Sequence, residues 1–511
     1  MAPWFKKFKS NERPWLLELR SSQTFIVFTV SLSMFTDLFL YAMIVPVMPR
    51  ALVTRAGISF EDREYWNSVM LVSEAIAALA CSPVFGYVLD RSGTRQGPYL
   101  FGLGLLFASM AVLTLARSVI WYIIARVLQG AATAMVAVAG LAIVTDAVDR
   151  NRLGHMIGYI GTSMNLGFMT GPMLGGLVYH VGGYYSVFGM AFVIVGLDFL
   201  LRLAVIEKRI AQTWLASAST ETASEEGWVG YAPYGTVDGT LNKGVSSQTF
   251  AFWKLLRQPR ILISLWAVIV GALVISAFDT VGGSANPPFR TFVNFFIFQT
   301  LPIFVENTFH WNALGAGMIF LPTASAAIFQ PFFGRLIYVN WSRSSPSDIS
   351  CFLTGYLCDR FGARVLTFTS FTLLAPSLTC LRLVEDNTTH QKGILCAILV
   401  LVGMCLDLSE PALLVEIQRV LDCMEEDCPG IFGEKGAVAQ GFSLVNMAHF
   451  GGLALGPMLG GFIDHRYGWK VMTLTLGILS AVTAVPMLWL DGGPLDGELA
   501  REDSEREPLL E

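Results

Sequence analysis

Gly86-Tyr87-Val88-Leu89-Asp90-Arg91-Ser92-Gly93-Thr94-Arg95 is the stretch whose reading decides the fold. It recurs in the second half of the chain as Gly355-Tyr356-Leu357-Cys358-Asp359-Arg360-Phe361-Gly362-Ala363-Arg364. Each copy ends one long apolar segment and precedes another. Glycines permit a tight turn and close approach, and the arginines Arg91, Arg95, Arg360 and Arg364 hold such a turn on the cytoplasmic side of a membrane. One copy is an ordinary surface turn. Two copies in matching places signal an internal duplication.

The composition around this motif is that of a polytopic membrane protein. Of 511 residues 54% are hydrophobic and only 14% charged, with a mean hydropathy of +0.56. A soluble chain carries nearer a quarter charged residues. Apolar blocks of roughly 20 residues match the length of a helix crossing a bilayer. The net charge of −5 is small and gives no reason to expect a nucleic-acid partner. The eight cysteines lie mostly in apolar segments and lack metal-ligand spacing, so no metal or other cofactor is expected. Phosphate-loop, catalytic-triad and metalloprotease patterns are absent, and the histidines form no ligand cluster, so the chain is not read as an enzyme.

We expect an all-α fold of twelve transmembrane helices in two pseudo-symmetric six-helix bundles. The first bundle (24–206) carries spans Thr24–Pro46, Asn67–Leu89, Pro98–Ala116, Trp121–Val144, Met156–Tyr179 and Tyr184–Ile206. The second (259–490) carries Ile261 to about Phe304, Leu314–Gly334, Val365–Leu383, Gly393–Ile417, Ala437–Ile463 and Val471–Leu490. Residues 1–23 read as a cytoplasmic tail, 207–258 as a Ser-, Thr-, Gly- and Glu-rich linker, and 491–511 as an acidic tail. The distribution of Lys and Arg places both termini and the linker in the cytoplasm, although Arg50, Arg55 and Arg63 on the opposite side weaken the contrast. The sequon Asn387-Thr388-Thr389 then falls on the exterior or lumenal face, where Asn387 is open to glycosylation.

A second repeat supports the duplication. Gly167-Phe168-Met169-Thr170-Gly171-Pro172-Met173-Leu174-Gly175-Gly176 returns as Gly452-Leu453-Ala454-Leu455-Gly456-Pro457-Met458-Leu459-Gly460-Gly461, with His180 and His465 at the same offset. In a helix such glycines allow close helix packing, and Pro172 and Pro457 favour a bend.

Three of these features resemble signature motifs of the major facilitator superfamily: Gly86 to Arg95, Arg126-Val127-Leu128-Gln129-Gly130 in span four, and Gly167 to Gly176 in span five. The last is characteristic of the proton-coupled antiporters of that superfamily. With Pro46-Val47-Met48-Pro49 ending span one, the chain resembles the twelve-span drug/proton antiporters, and among them the vesicular amine transporter branch. The resemblance implies a two-bundle transporter working by alternating access, with protons and a small organic substrate as its partners in the bilayer.

The halves disagree at two places. Deleting Arg335–Gly355 joins Pro331-Phe332-Phe333-Gly334 to Tyr356 and restores the pattern of span two. Deleting Val281–Gln299 joins Asp279-Thr280 to Thr300-Leu301-Pro302-Ile303, which resembles span seven of the vesicular amine transporters. We read 281–299 and 335–355 as intron-derived insertions, with a genuine pair of insertions as the alternative.

Acidic side chains inside spans cost a few kcal/mol or more when charged and are functional candidates. Asp37 lies mid-span one, where the resemblance implies an acid linked to substrate binding; the alternative is a hydrogen-bonded structural acid. Glu74 in span two stands where the amine transporters carry Lys. The partner position in span eleven is here Asn446, so that pair is changed at both ends. Asp279 matches an acid of span seven once the insertion is removed, and Asp407 and Glu410 lie beside Pro411 in span ten. Arg126 and Gln129 face the interior if the family motif holds. Glu416 is expected to be solvated at a span end, Asp198 and Arg202 to pair locally, and His449 either to pack or to pass protons. The ending Glu505-Arg506-Glu507-Pro508-Leu509-Leu510 has the form of a di-leucine sorting signal for an adaptor at an endosomal or vacuolar membrane. The expected activity is proton-coupled antiport of a lipophilic cation, drug or secondary metabolite across the plasma membrane or a vacuolar membrane. A nutrient facilitator or symporter, and a non-transporting receptor or scaffold, are the alternatives.

Overall fold

A computed structural model describes residues 16–44, 46–59, 63–92, 94–148, 152–206, 251–278, 353–432 and 436–490, with isolated positions in 211–214 and 305–322. The elements in chain order are α1 (Leu17–Arg20), α2 (Gln23–Ile44), α3 (Met48–Thr54), α4 (Arg63–Arg91), α5 (Gln96–Leu115), α6 (Val119–Ala147) and α7 (Leu153–Ala204). After the linker come α8 (Phe252–Leu255), α9 (Pro259–Phe278), α10 (Leu353–Cys380), α11 (Thr389–Asp427), α12 (Val438–Tyr467) and α13 (Trp469–Ala484). No strand occurs among the described residues.

Ten helical stretches among the described residues are long and apolar enough to cross a membrane. The 52-residue α7 breaks at Gly183, whose φ of 75° is open to glycine, so it crosses twice. Gly468, with φ 82°, makes the equivalent turn between α12 and α13. Both glycines lie three residues beyond the matched histidines, so the duplication extends through the turn. Span Leu314–Gly334, Asp279 and Val281–Gln299 lie outside the described residues, as do Arg335–Phe352 and both chain ends with Leu509 and Leu510. The two copies of the opening motif differ in form. The first leaves α4 after Arg91 and enters α5 at Gln96, whereas the second runs inside α10 with a single break at Gly362 (φ 75°).

The break in α7 at Gly183 falls between the expected spans Met156–Tyr179 and Tyr184–Ile206, and φ/ψ values stay helical through Pro172. One expectation needs correction. Helix α11 does not end near Ile417 but runs on to Asp427.

The glycine repeat sets how each half is built. A methyl group on Gly167, Gly171 or Gly175 of α7 would stand 2.5, 2.7 or 2.5 Å from the carbonyl oxygens of Phe35, Phe39 and Met43 on α2. In the second half Gly452 and Gly456 of α12 meet the carbonyl oxygens of Ile269 and Leu273 on α9, and Gly460 meets Ala277. Steps of four residues on both partners hold each pair backbone to backbone, the small-residue packing that membrane helices use. Span one lies on span five as span seven lies on span eleven.

We call the face where α2 begins the near face. Following the crossings, Arg91, Arg95, Ala147, Leu153, Pro259 and the start of α12 also lie there. Among the described residues, buried apolar side chains form two clusters. One joins near-face residues of the first half, such as Val30, Tyr99, Ala142 and Ile157, to the second half. The other, built from Phe39, Met43, Met70, Leu106, Tyr122 and Phe188, is confined to the far-face end of the first half. The halves are therefore packed together at the near face. At the far face Arg55 lies 4.2 Å from the Tyr184 ring centroid and 4.9 Å from that of Tyr185, and its Nη2 donates to the Thr114 carbonyl at 3.2 Å. A cation that weakened the charge asymmetry is thus held by aromatic faces.

Candidate functional site

The candidate residues separate into three groups. The first closes the near face. Asp90, at the end of α4, accepts hydrogen bonds from the backbone N–H groups of Ala439 and Gln440, each at 3.0 Å, and from Gln440 Nε2 at 3.3 Å. Those N–H groups belong to the first turn of α12, where a helix has unpaired donors and partial positive charge. Arg95 stands 3.9 Å from Asp90 and 2.5 Å from Asp146. Gly86 makes the approach possible, because a methyl there would lie 2.6 Å from Ser443 and 2.9 Å from the Ala439 carbonyl. An acid of the first half thus caps a helix of the second. Arg91 instead lies 4.8 Å from the Tyr87 ring centroid, and Arg364 is exposed. Gly93 and the side chains of Asp359, Arg360 and Pro457 lie outside the description. Gly176 has open space around it.

The second group is buried in the first half. Asp37 (3% exposed) accepts from Thr133 Oγ1 at 2.8 Å. Glu74 and Arg126 pair at 2.7 Å, and the same guanidinium nitrogen donates to Gln129 Oε1 at 3.1 Å. A Cβ on Gly130 would collide with the Glu74 carbonyl, so this glycine lets α4 and α6 meet closely enough for the pair to form. Glu74 is therefore satisfied within its own half. Asn446 donates instead to Ser82 Oγ at 2.8 Å, tying α12 to α4 at a separate place.

Near the near face of this half, Ser33 donates to Asp198 Oδ1 at 2.5 Å, and Arg202 lies 4.2 Å from the Tyr99 ring centroid. Asp198, Arg202 and Tyr99 are all fully buried. Asp198 and Arg202, expected to pair locally, thus stand in a cluster that also draws on α2 and α5.

The third group lines a cavity between the halves, with roughly 780 Å³ of empty space, part of it open to solvent. The first half contributes Met34, Met164 and Asn165; the second contributes Asp407, Glu410, Phe442, Asn446 and His449. Asn165 Nδ2 donates to Asp407 Oδ1 at 2.9 Å across the interface. The other carboxylate oxygen, Oδ2, has no hydrogen-bond partner among the described residues. Phe442 and Val445 on the wall follow Gln440 by two and five residues, about 3–8 Å along the helix. The Asp90 contact therefore lies on the near-face side of this cavity along α12. Asp37, Glu74 and Arg126 do not line it.

Asn165 is a residue the sequence reading missed. Its only signal was an amide inside an apolar span, two residues before Gly167. Glu416, expected in solvent, is fully buried and accepts from Arg260 Nε at 2.9 Å and Nη2 at 2.6 Å. Asn387 is exposed at the far face, where its Nδ2 donates to the Phe309 carbonyl at 3.3 Å. Among the described residues no group of three His, Cys, Asp or Glu side chains is placed to hold a metal ion.

The sequence profile of the Major Facilitator Superfamily matches residues 28–346 and 349–511. The MFS-type transporter ppzB of Metarhizium rileyi is 29% identical over 506 residues, covering 93% of this chain and 96% of that protein. An uncharacterized MFS-type transporter of Schizosaccharomyces pombe, C18.02, is 30% identical, covering 90% and 94%. The mouse vesicular acetylcholine transporter is 25% identical, covering 88% and 70%. Among solved structures, the human organic anion transporter MFSD10 superposes with a TM-score of 0.56 at 16% identity, covering 91% of this chain and 99% of that one, a likeness of fold.

Proposed function

The chain belongs to the major facilitator superfamily as an integral membrane transporter, and from that premise we propose that it is a proton-coupled antiporter of lipophilic organic cations. The carrying observation is Asp407. Its carboxylate stands in a cavity between the halves, bonded on one oxygen and without a partner among the described residues on the other. Glu410 one turn away adds a second acid, and Met34, Met164 and Phe442 supply apolar and aromatic surface. Such a pocket suits an ammonium carried on a hydrophobic body. The likeness to vesicular acetylcholine transporters supports a substrate of this charge.

The exchange needs a carboxylate that holds either the cation or a proton. Asp407 is that group, and Asp37 and Glu74, buried beside Thr133 and Arg126, are further proton carriers in the first half. With the near face in the cytoplasm, the Asp90 contact is the cytoplasmic gate and Asn387 is exterior or lumenal. Protons from the acidic far side then drive cations out of the cytoplasm, across the plasma membrane or into a vacuole or endosome to which Leu509 and Leu510 direct the protein.

Proteoliposomes with an imposed pH gradient test this reading against amines, quaternary cations, neutral compounds and organic anions. We expect gradient-dependent cation uptake, reduced at least tenfold by Asp407→Asn. Uptake of anions alone, or cation uptake indifferent to the gradient, would refute it.

A further inference from the structure

The last residues of the linker rest on the near-face gate. Ala251 (2% exposed) and Leu255 (0%) are buried, and Lys254 Nζ donates to the Ile431 carbonyl at 3.0 Å, on the connection between α11 and α12. The backbone N–H of Ala251 donates to Gln440 Oε1 at 2.9 Å in a buried bond. The same side chain donates through Nε2 to Asp90. One amide is therefore shared between the linker and the gate acid.

We infer that Gln440 is a positioning residue through which the linker's end, Ala251–Leu255, sets how readily the near face opens. The chemistry fixes its direction. An amide has one acceptor end and one donor end. The Ala251 N–H selects the orientation with Oε1 toward the linker and Nε2 toward Asp90. Reversed, the amide would set its oxygen against a carboxylate and its NH₂ against an N–H, repelling at both ends. Without the linker N–H the side chain loses one of its two anchors, and its 3.3 Å bond to Asp90 is held less firmly. The hydrogen bonds run in series from Ala251 to Gln440 to Asp90, from the segment between the halves to the contact that joins them. Neither Ala251 nor Gln440 lines the cavity, so the link acts on the gate and not on the substrate contacts. The inference rests on the alternating-access reading above for its meaning in transport, but not for the link itself.

Ala251→Pro tests it almost atom by atom. Ala251 has φ −69° and ψ −15°, which a proline ring accepts, so the substitution deletes the N–H with little change in backbone shape. Distances between spin labels on the near-face ends of the two halves, measured without substrate, report the gate. The population open at the near face should rise about fivefold, the ratio produced by losing one buried hydrogen bond. Gln440→Met, similar in length but without either polar group, should open the gate further. Adding Ala251→Pro to Gln440→Met should then change nothing more. Independent, additive effects, or a parental distance distribution in folded Ala251→Pro, would overturn the inference. If Ala251→Pro does not fold, replacing Ala251 by lactic acid through nonsense suppression removes the same N–H as a backbone ester, and the cycle with Gln440→Met is measured on that variant. A wild-type chain that transports nothing but shows this non-additivity would remove the antiporter reading and leave the coupling standing.

Discussion

Replacing Asp90 by Asn is the sharpest perturbation of the proposed near-face gate. In the closed arrangement the carboxylate accepts two backbone N–H bonds at 3.0 Å and one side-chain amide bond at 3.3 Å, all at the start of α12. When the halves part, water takes over those bonds, so each contributes only its net value. That is about 1 kcal/mol apiece, with a few tenths more from the helix terminus. Asn retains one acceptor oxygen, loses the charge and turns an NH₂ toward N–H donors. The closed state should weaken by about 2 kcal/mol, or about 30-fold in the ratio of closed to open. Spin labels at Thr94 and Asp427, both exposed at the near face, measured in nanodiscs by electron–electron double resonance, give that ratio directly. A distance distribution unchanged from the parent would refute the assignment of Asp90 as the gate. A longer near-face distance without loss of folded protein supports it.

Glu416→Ala should destabilise the second half, because it leaves the Arg260 guanidinium without its buried acceptor. The cost is about 2–3 kcal/mol, discounted from the buried-pair range because Arg260 is 26% exposed. It is read as a lower thermal midpoint in detergent, and an unchanged midpoint would remove the structural role. For the two places where the halves disagree, mature transcript sequenced across Asp279 to Asp359 should lack the segments encoding Val281–Gln299 and Arg335–Gly355. Their presence in most message would make them genuine insertions.

Much of the architecture was legible because duplication writes the same constraint twice. Gly167, Gly171 and Gly175 could be matched to Gly452, Gly456 and Gly460 from sequence, and both triplets pack on a neighbouring backbone in the same register. Asp90 was legible as a motif residue, but its partners were not. They are backbone N–H groups of α12, and backbone donors carry no side-chain signature. Glu416 was misread because hydropathy falls away at Gln418, Arg419 and Asp422, which looks like a span end. The backbone helix outruns the apolar stretch and reaches Asp427, and Arg260 meets Glu416 from 156 positions away. Helical periodicity tells which residues share a face, not which helix that face meets.

The same gap explains why the intramembrane acids looked equivalent in sequence and separate in structure. Each carries the same cost of burial, and that cost singled out Asp37, Glu74 and Asp407 alike. The partners distinguish them. Glu74 has Arg126 and Asp37 has Thr133, both within the first half and off the cavity wall. Asp407 lines the cavity and is bonded across the interface to Asn165, on a helix of the other half, while its other oxygen is buried without a hydrogen-bond partner among the described residues. An acid bonded within one half moves with that half and keeps its partner as the halves rock. An acid bonded across the interface loses its partner when they rock apart. On the proposed antiport, Asp407 is the cavity acid whose surroundings would change as the halves rock, which is what coupling a proton to a substrate requires.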